Sequence, residues 1–435
     1  MNHPARRFAL RLLVAGLASF FAAAVAGAQQ LALTPFNASG IYALGEKVGW
    51  TATLPPGTAA PAGGYTYTIK KNNLDVIKSG RLDLASGSAT IETTLDEPAM
   101  LYVEVSAPAG GKRNVVGAAV APAKLHPSVP HPADFDAFWD SKINLLHTIP
   151  ADPVLTPGES GKAGVEYATI KLNNIGGAHV YGQLARPARE GSFPAMLILL
   201  WASPPYPLQK QWVTDRAAEG WLALNVEPHD VPGDLPPAFY AALPQLIKNY
   251  QTIGNTDRDR NYFLQMYLGD YRAVDYLASR PDWDGKTLVL MGTSMGGQQS
   301  LCVAGLHPQV THVIVHVPAG CDTNGSLHGR AAGYPNWDAS NPKVMKTALY
   351  FDTVNFASRI KATCLVSMGF LDDVAPPVGI WIAFNQIAGP KEAVPLVNAP
   401  HNNLATDEQQ RAYTTRSAEW LAALVHGTEV KPAGN

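Results

Sequence analysis

Between Leu31 and Pro122 apolar and polar positions alternate in short runs. Val48-Gly-Trp50-Thr-Ala-Thr-Leu54, Tyr65-Thr-Tyr67-Thr-Ile69, Ala89-Thr-Ile91-Glu-Thr93 and Met100-Leu-Tyr102-Val-Glu-Val105 carry the pattern. Turn formers separate them at Pro55-Pro56-Gly57, Gly63-Gly64, Asn72-Asn73 and Gly110-Gly111. A period of two with frequent turns and no helical period predicts an antiparallel sandwich of about seven strands. After Pro132 the pattern changes. A helix opens at Pro132-Ala-Asp134-Phe-Asp-Ala-Phe138-Trp139, and Val165 to Leu184 alternates as strands. Ala195-Met-Leu-Ile-Leu-Leu-Trp201 is a continuous apolar run, as central parallel strands are. Asn261 to Arg280 places Phe263, Tyr267, Tyr271, Val274 and Leu277 at helical spacing, a stripe expected to face the core. Further strands are expected at Val313–Val317, Cys364–Met368 and Val394–Val397, and a last helix from about Asp407 to His426. This alternation predicts a doubly wound α/β sheet behind the small all-β, immunoglobulin-like sandwich.

The proline-rich stretch Ala121-Pro-Ala-Lys-Leu-His-Pro-Ser-Val-Pro-His-Pro132 marks the boundary between them. Ahead of the sandwich, Arg6, Arg7 and Arg11 precede an apolar run from Leu12 to Val25 and the small-residue motif Ala26-Gly27-Ala28. That order is an export signal, too short in its apolar part for a membrane span. The expected organisation is a signal at 1–28, the sandwich at 29–122 and the α/β domain at 123–435. Export would place the mature chain, starting near Gln29, in the periplasm or outside the cell.

Composition narrows the partners. The formal net charge of −2 gives no electrostatic reason to expect nucleic acid or an anionic membrane surface. The cysteines, Cys302, Cys321 and Cys364, are odd in number and lie beside apolar runs, so buried thiols are expected rather than a disulfide framework. None precedes the connector, which excludes a disulfide-pinned sandwich. An aromatic such as Trp50 could in principle stack on a sugar, but a core position is the commoner place for it.

The candidate chemistry sits at Leu288-Val-Leu-Met-Gly292-Thr-Ser294-Met-Gly296. An apolar strand runs into Gly-Thr-Ser-Met-Gly and then into a segment of helical length, the nucleophile-elbow pattern G-x-S-x-G. In such an elbow the serine takes a strained backbone conformation, and the flanking glycines let strand and helix crowd it. An activated serine needs a base, and the base needs an acid to orient it. On this scaffold the chain order is serine, acid, histidine. Two adjacent carboxylates, Asp372 and Asp373, follow the strand at Cys364–Met368, and spacing does not choose between them. His401 follows the strand ending near Val397 and precedes the last helix. His307 and His426 sit at helix ends, and His312 and His316 precede the acid. One oxyanion donor would be the Met295 N–H. The other would come from Trp201-Ala202-Ser203, since Pro204 and Pro205 lack an N–H. There is no Cys/His spacing for zinc and no glycine-rich phosphate loop, so no metal or cofactor is expected.

From His131 to His426 the sequence resembles the acetyl xylan esterase / cephalosporin C deacetylase family of α/β-hydrolases. Asp134-Phe-Asp-Ala-Phe138-Trp139 resembles that family's first helix. Tyr350-Phe-Asp-Thr-Val-Asn-Phe-Ala-Ser-Arg359, running on to Met368-Gly-Phe-Leu-Asp372-Asp-Val-Ala-Pro-Pro377, is the most specific likeness. The resemblance implies Ser294 as nucleophile, Asp372 rather than Asp373 as acid, His401 as base, and Ala202 as the other oxyanion donor. It departs from the family in having Met295 where a glutamine is usual, and Val226-Glu227-Pro228-His229-Asp230 where Arg-Gly-Gln is usual. The implied activity is removal of acetyl or short acyl groups from carbohydrates such as an acetylated oligosaccharide, by a monomer or a homo-oligomer. Two other readings share part of the pattern. A peptidase of the prolyl-oligopeptidase type has the same elbow and triad order but carries a propeller, for which the stretch before the connector is too short. A glycan-binding protein would keep the fold without the activity.

Overall fold

A computed structural model of the chain describes residues 31–108, 113–203, 205–233 and 235–433. The expected export signal lies outside these residues. The alternating N-terminal stretch folds into eight strands: β1 (Ala32–Pro35), β2 (Ile41–Tyr42), β3 (Lys47–Thr53), β4 (Tyr65–Lys71), β5 (Asp75–Leu82), β6 (Ser88–Thr94), β7 (Ala99–Ser106) and β8 (Asn114–Val120). One sheet has the order β1-β3-β6 and the other β2-β8-β7-β4-β5. Val48, Trp50 and Ile91 from the first share a core with Ile69, Val103 and Val105 from the second. Trp50 is 1% exposed, so it is a core residue with no face left for a ligand.

The rest of the chain supplies, in order, α1 (Phe135–His147), β9 (Val154–Gly158), β10 (Val165–Asn173), β11 (His179–Pro187), β12 (Phe193–Leu199), α2 (Gln211–Glu219), β13 (Leu222–Val226), α3 (Pro237–Leu246) and α4 (Tyr262–Ser279). There follow β14 (Trp283–Thr293), α5 (Met295–Leu306), β15 (His312–His316), α6 (Pro342–Ala348), α7 (Thr353–Ala357), β16 (Thr363–Gly369), α8 (Pro377–Gln386), β17 (Lys391–Leu396) and α9 (Asp407–Val425). Nine strands make one sheet in the order β17-β16-β15-β14-β12-β13-β11-β10-β9. From β12 to β17 neighbours run parallel, whereas β9, β10 and β11 form an antiparallel edge. The sheet is therefore mixed. The short link between β10 and β11 permits a hairpin but no helical crossover.

The parallel strands bury both faces, which is why they read as unbroken apolar runs. Leu197, Leu290, Val313 and Val366 point to one side, where α4, α5 and α8 cover them through Val274, Leu301 and Ile380. Met196, Val289, Ile314 and Leu365 point to the other, under α2 and α9 with Val213 and Trp420. Local signals set the helix starts. Asn261 caps α4 by accepting the Phe263 N–H, and Thr406 with Gln409 forms a capping box on α9.

The proline-rich connector is not a free linker. Asn385 Nδ2 on α8 donates to the Pro122 and Leu125 carbonyls, each at 2.9 Å. Ser128 and Arg330 both bond the Asp322 carboxylate. Met100, Ala119 and Leu125 share a single apolar cluster with Phe370 and Trp381. The N-terminal sheets thus pack directly on the large sheet's β16–β17 side.

Trp420 is fully buried in the cluster that seats α9. Trp420→Ala should lower the free energy of unfolding by about 3–5 kcal/mol, the usual cost of an unfilled aromatic site, as read from denaturant titration.

Candidate active site

Strand β14 ends at Thr293 and α5 begins at Met295, so Ser294 alone turns the chain. Its φ of 57° and ψ of −119° are a conformation that side-chain-bearing residues rarely adopt. Such strain costs about 1–3 kcal/mol and persists only where the surroundings over-determine it. Here they do. The Ser294 N–H donates to the His316 carbonyl at 2.9 Å, and its own carbonyl accepts from Gln298 and Ala319 N–H groups at 3.0 Å. A Cβ on Gly292 would overlap the Gly296 carbonyl, and one on Gly296 the Leu199 carbonyl. Both glycines serve close approach of backbone to backbone; neither has a positive φ.

The structure brings Ser294, His401 and Asp372 together. His401 Nε2 lies 2.9 Å from Ser294 Oγ, and His401 Nδ1 lies 2.7 Å from Asp372 Oδ2. The three residues come from the turns after β14, β16 and β17, at the same end of the parallel sheet. All are buried, with Ser294 the most open at 9%. Asp372 Oδ1 accepts the Val374 and Ala375 N–H groups at 2.9 and 2.7 Å. Burial pushes the Asp372 carboxyl above the ordinary range; the His401 bond and the two amides pull the other way. Asp373 is exposed and takes no part.

Ala202 follows the end of β12 and packs in the cluster that holds Met295. As first residue of α5, Met295 has an N–H with no intrahelical acceptor. The Ala202 carbonyl accepts a hydrogen bond from His229 Nε2 at 3.2 Å, and His229 Nδ1 lies 3.1 Å from the Tyr262 hydroxyl. Burial lowers the His229 pKa to about 4, so the ring is neutral. A carbonyl can only accept, so Nε2 carries the proton and Nδ1 accepts from Tyr262. His229 is thus a brace on the Ala202 loop.

Sequence reasoning missed Tyr250 and Tyr334. Their hydroxyls bond each other and lie 3.0 and 3.1 Å from Met295 Sδ, covering the side chain next to Ser294. One sits in a short turn before α4 and the other in the loop after β15, with no period or motif to mark them. Two other candidate histidines are engaged elsewhere. His316 lies 2.6 Å from Ser367 Oγ and stacks on Tyr413, and His307 pairs with Asp275. Cys302, Cys321 and Cys364 are free thiols. Among the described residues no group of three His, Cys, Asp or Glu side chains is placed to hold a metal ion.

Glu227, just after β13, is buried beside the Tyr206 hydroxyl. Burial raises its pKa from 4.5 to about 9. Between those values the folded chain holds a proton that the unfolded chain has released, so this group's contribution to stability falls as pH rises and levels off above about 9. Glu227→Gln keeps the shape without the titration. The variant should gain on the wild type by at most about 1.4 kcal/mol per pH unit across that window, visible as melting curves that diverge from pH 5 to pH 9. Parallel curves would contradict it.

Comparison with known proteins identifies the family. Residues 123–421 match the model of the acetyl xylan esterase family. The acetyl esterase Axe7A of Xylanibacter ruminicola is 31% identical over 337 residues, covering 75% of this chain and 76% of that protein. Among solved structures, an acetyl xylan esterase from Paenibacillus sp. R4 is similar with a TM-score of 0.59 and 23% identity, over 69% of this chain and 98% of that one. Acetyl xylan esterase 1 from Thermoanaerobacterium sp. JW/SL YS485 gives a TM-score of 0.58 and 20% identity, over 70% and 97% of the two chains. The structural likenesses show the α/β-hydrolase fold; the family match and the Xylanibacter relative go further. The chain belongs to the acetyl xylan esterase family and is a carboxylic ester hydrolase.

Proposed function

We propose that the protein is an exported serine esterase that removes acetyl or similarly short acyl groups from carbohydrates through an acyl-enzyme. One observation carries this reading: the hydrogen-bonded line from Ser294 through His401 to Asp372, built on a strained elbow. His401 Nε2 takes the Ser294 proton as Oγ attacks the ester carbonyl carbon. The oxyanion accepts the N–H groups of Met295 and Ala202, and Asp372 holds the imidazolium through Nδ1–H. Nε2–H then protonates the departing sugar oxygen, leaving the acyl group on Ser294. Water follows, His401 takes its proton, and collapse of the second tetrahedral adduct releases acetate and restores the serine hydroxyl.

Acetyl as the acyl group rests on family membership, and on relatives named acetyl esterase and acetyl xylan esterase. The tyrosine pair over Met295 fits a small acyl group, since that side of the nucleophile is already filled. The proposed division is an immunoglobulin-like sandwich at 29–122 and a hydrolase domain at 123–435, supported by the two N-terminal sheets and by a family match that begins at residue 123. Two small sheets are not a propeller, which leaves the peptidase reading without its gating domain.

Acetate release from acetylated xylo-oligosaccharides and from a p-nitrophenyl acyl series, measured beside Ser294→Ala, tests the proposal. The variant should lose at least about 10⁴-fold in kcat, with acetyl preferred over longer chains in the wild type. Equal ester hydrolysis by wild type and variant would remove Ser294 from the mechanism.

A further inference from the structure

The N-terminal sheets touch the large sheet at a particular place. Gly117 on β8 lies against Phe370 and Leu371, the two residues before Asp372. A Cβ built on Gly117 would stand 2.9 Å from both the Phe370 carbonyl oxygen and the Phe370 Cβ. Gly40, just before β2, lies against Val397 and Phe370, with a built Cβ 2.8 Å from Val397 Cγ1 and 3.2 Å from Phe370 Cε2. Val397 opens the turn that ends at His401. One face of the small sheets is therefore pressed onto the two arms that carry Asp372 and His401, with no side chain in between at Gly40 or Gly117.

A second line runs from the β4–β5 hairpin. Asn72, at its tip, is buried; its carbonyl accepts the Ala331 N–H at 3.0 Å and its Nδ2 donates to the Gly329 carbonyl at 3.3 Å. The segment held there leads to Tyr334, whose N–H donates to the Val374 carbonyl at 2.8 Å. The Val374 N–H in turn donates to Asp372 Oδ1 at 2.9 Å. Asn72 thus reaches the carboxylate through one short chain of backbone bonds. The same segment sets Tyr334 beside Met295.

We infer that the N-terminal sheets act as a positioning element for the acid and base of the triad, rather than as a separate binding module. This rests on the reading of Ser294, Asp372 and His401 given above. The residues concerned touch neither substrate nor reacting atoms; they act through Phe370, Val397 and the 329–334 segment. Catalysis is sensitive to such placement, because a displacement of about 1 Å costs on the order of 10²-fold in rate.

The test uses the full chain with p-nitrophenyl acetate. Gly117→Ala drives a methyl against the Phe370 backbone, at a position whose φ tolerates alanine. Gly40→Ala drives one against Val397, and the double variant Gly40→Ala/Val397→Ala removes that clash while leaving the backbone strain at φ 65°. Val103→Ala, inside the sandwich core, controls for lost stability of the small sheets. Both glycine variants should lower kcat by about 10- to 100-fold with KM within twofold. The double variant should recover most of the loss, and Val103→Ala should keep the wild-type kcat. The downfield NMR signal of the His401 Nδ1–H should shift in the two glycine variants alone.

Glycine variants with wild-type kcat and an unmoved signal would overturn the inference. So would a loss that Val103→Ala reproduces in proportion to its fall in melting temperature, or one that Val397→Ala fails to rescue. The NMR signal does not depend on turnover. It therefore judges positioning even if Ser294→Ala were to keep full activity, the separate result that would sink the triad reading.

Discussion

The proposed triad depends on how a buried carboxylate is held. Asp372 is 2% exposed, and an unpaired charge in such a place would take up a proton. Three N–H donors converge on it instead, two from the turn that follows and one from His401. β16 and β17 lie side by side, so their placement is an electrostatic matter as well as a packing one. Burial already raises the Asp372 pKa, and moving His401 and the two amides away would raise it further.

The elbow serine has the opposite problem. Ser294 is neutral and needs no partner to be stable, but it must be lifted out of the strand. The cost is steric, and it is met by backbone contacts that only glycine at 292 and 296 allows. On the far side, where the usual family pattern is absent, neutral groups do the bracing. His229 holds the Ala202 carbonyl, and Tyr250 with Tyr334 closes over Met295. Burial keeps His229 uncharged, so the brace adds no cation beside the Ala202 loop.

The small sheets give this molecule a third support. A two-sheet unit with its own core would be free to swing on a flexible linker. Here the linker is pinned to α8, and Met100 and Ala119 belong to the large domain's core. An apolar seam of this kind resists relative motion in a way that a wet, polar domain contact does not. Trp50, the aromatic best suited to a sugar-binding role, is spent on the sandwich core.

Much was legible in the chain itself. The change from period two to alternating strands and helices is visible along the chain, because burial on one face or two leaves its mark on hydrophobic order. The elbow is likewise a local matter of backbone geometry. The family resemblance is confirmed by the comparisons. Spacing alone left Asp372 and Asp373 equal, since the two are adjacent and only tertiary placement buries one and exposes the other. The antiparallel edge of the sheet, the eighth N-terminal strand and the packed state of the proline-rich connector were also decided by pairing at a distance. So were Tyr250, Tyr334 and the contacts of His229, which lie far apart in sequence and share no pattern. A sequence records what each residue needs from its near neighbours. Which distant neighbours satisfy that need is settled only when the sheets close on one another.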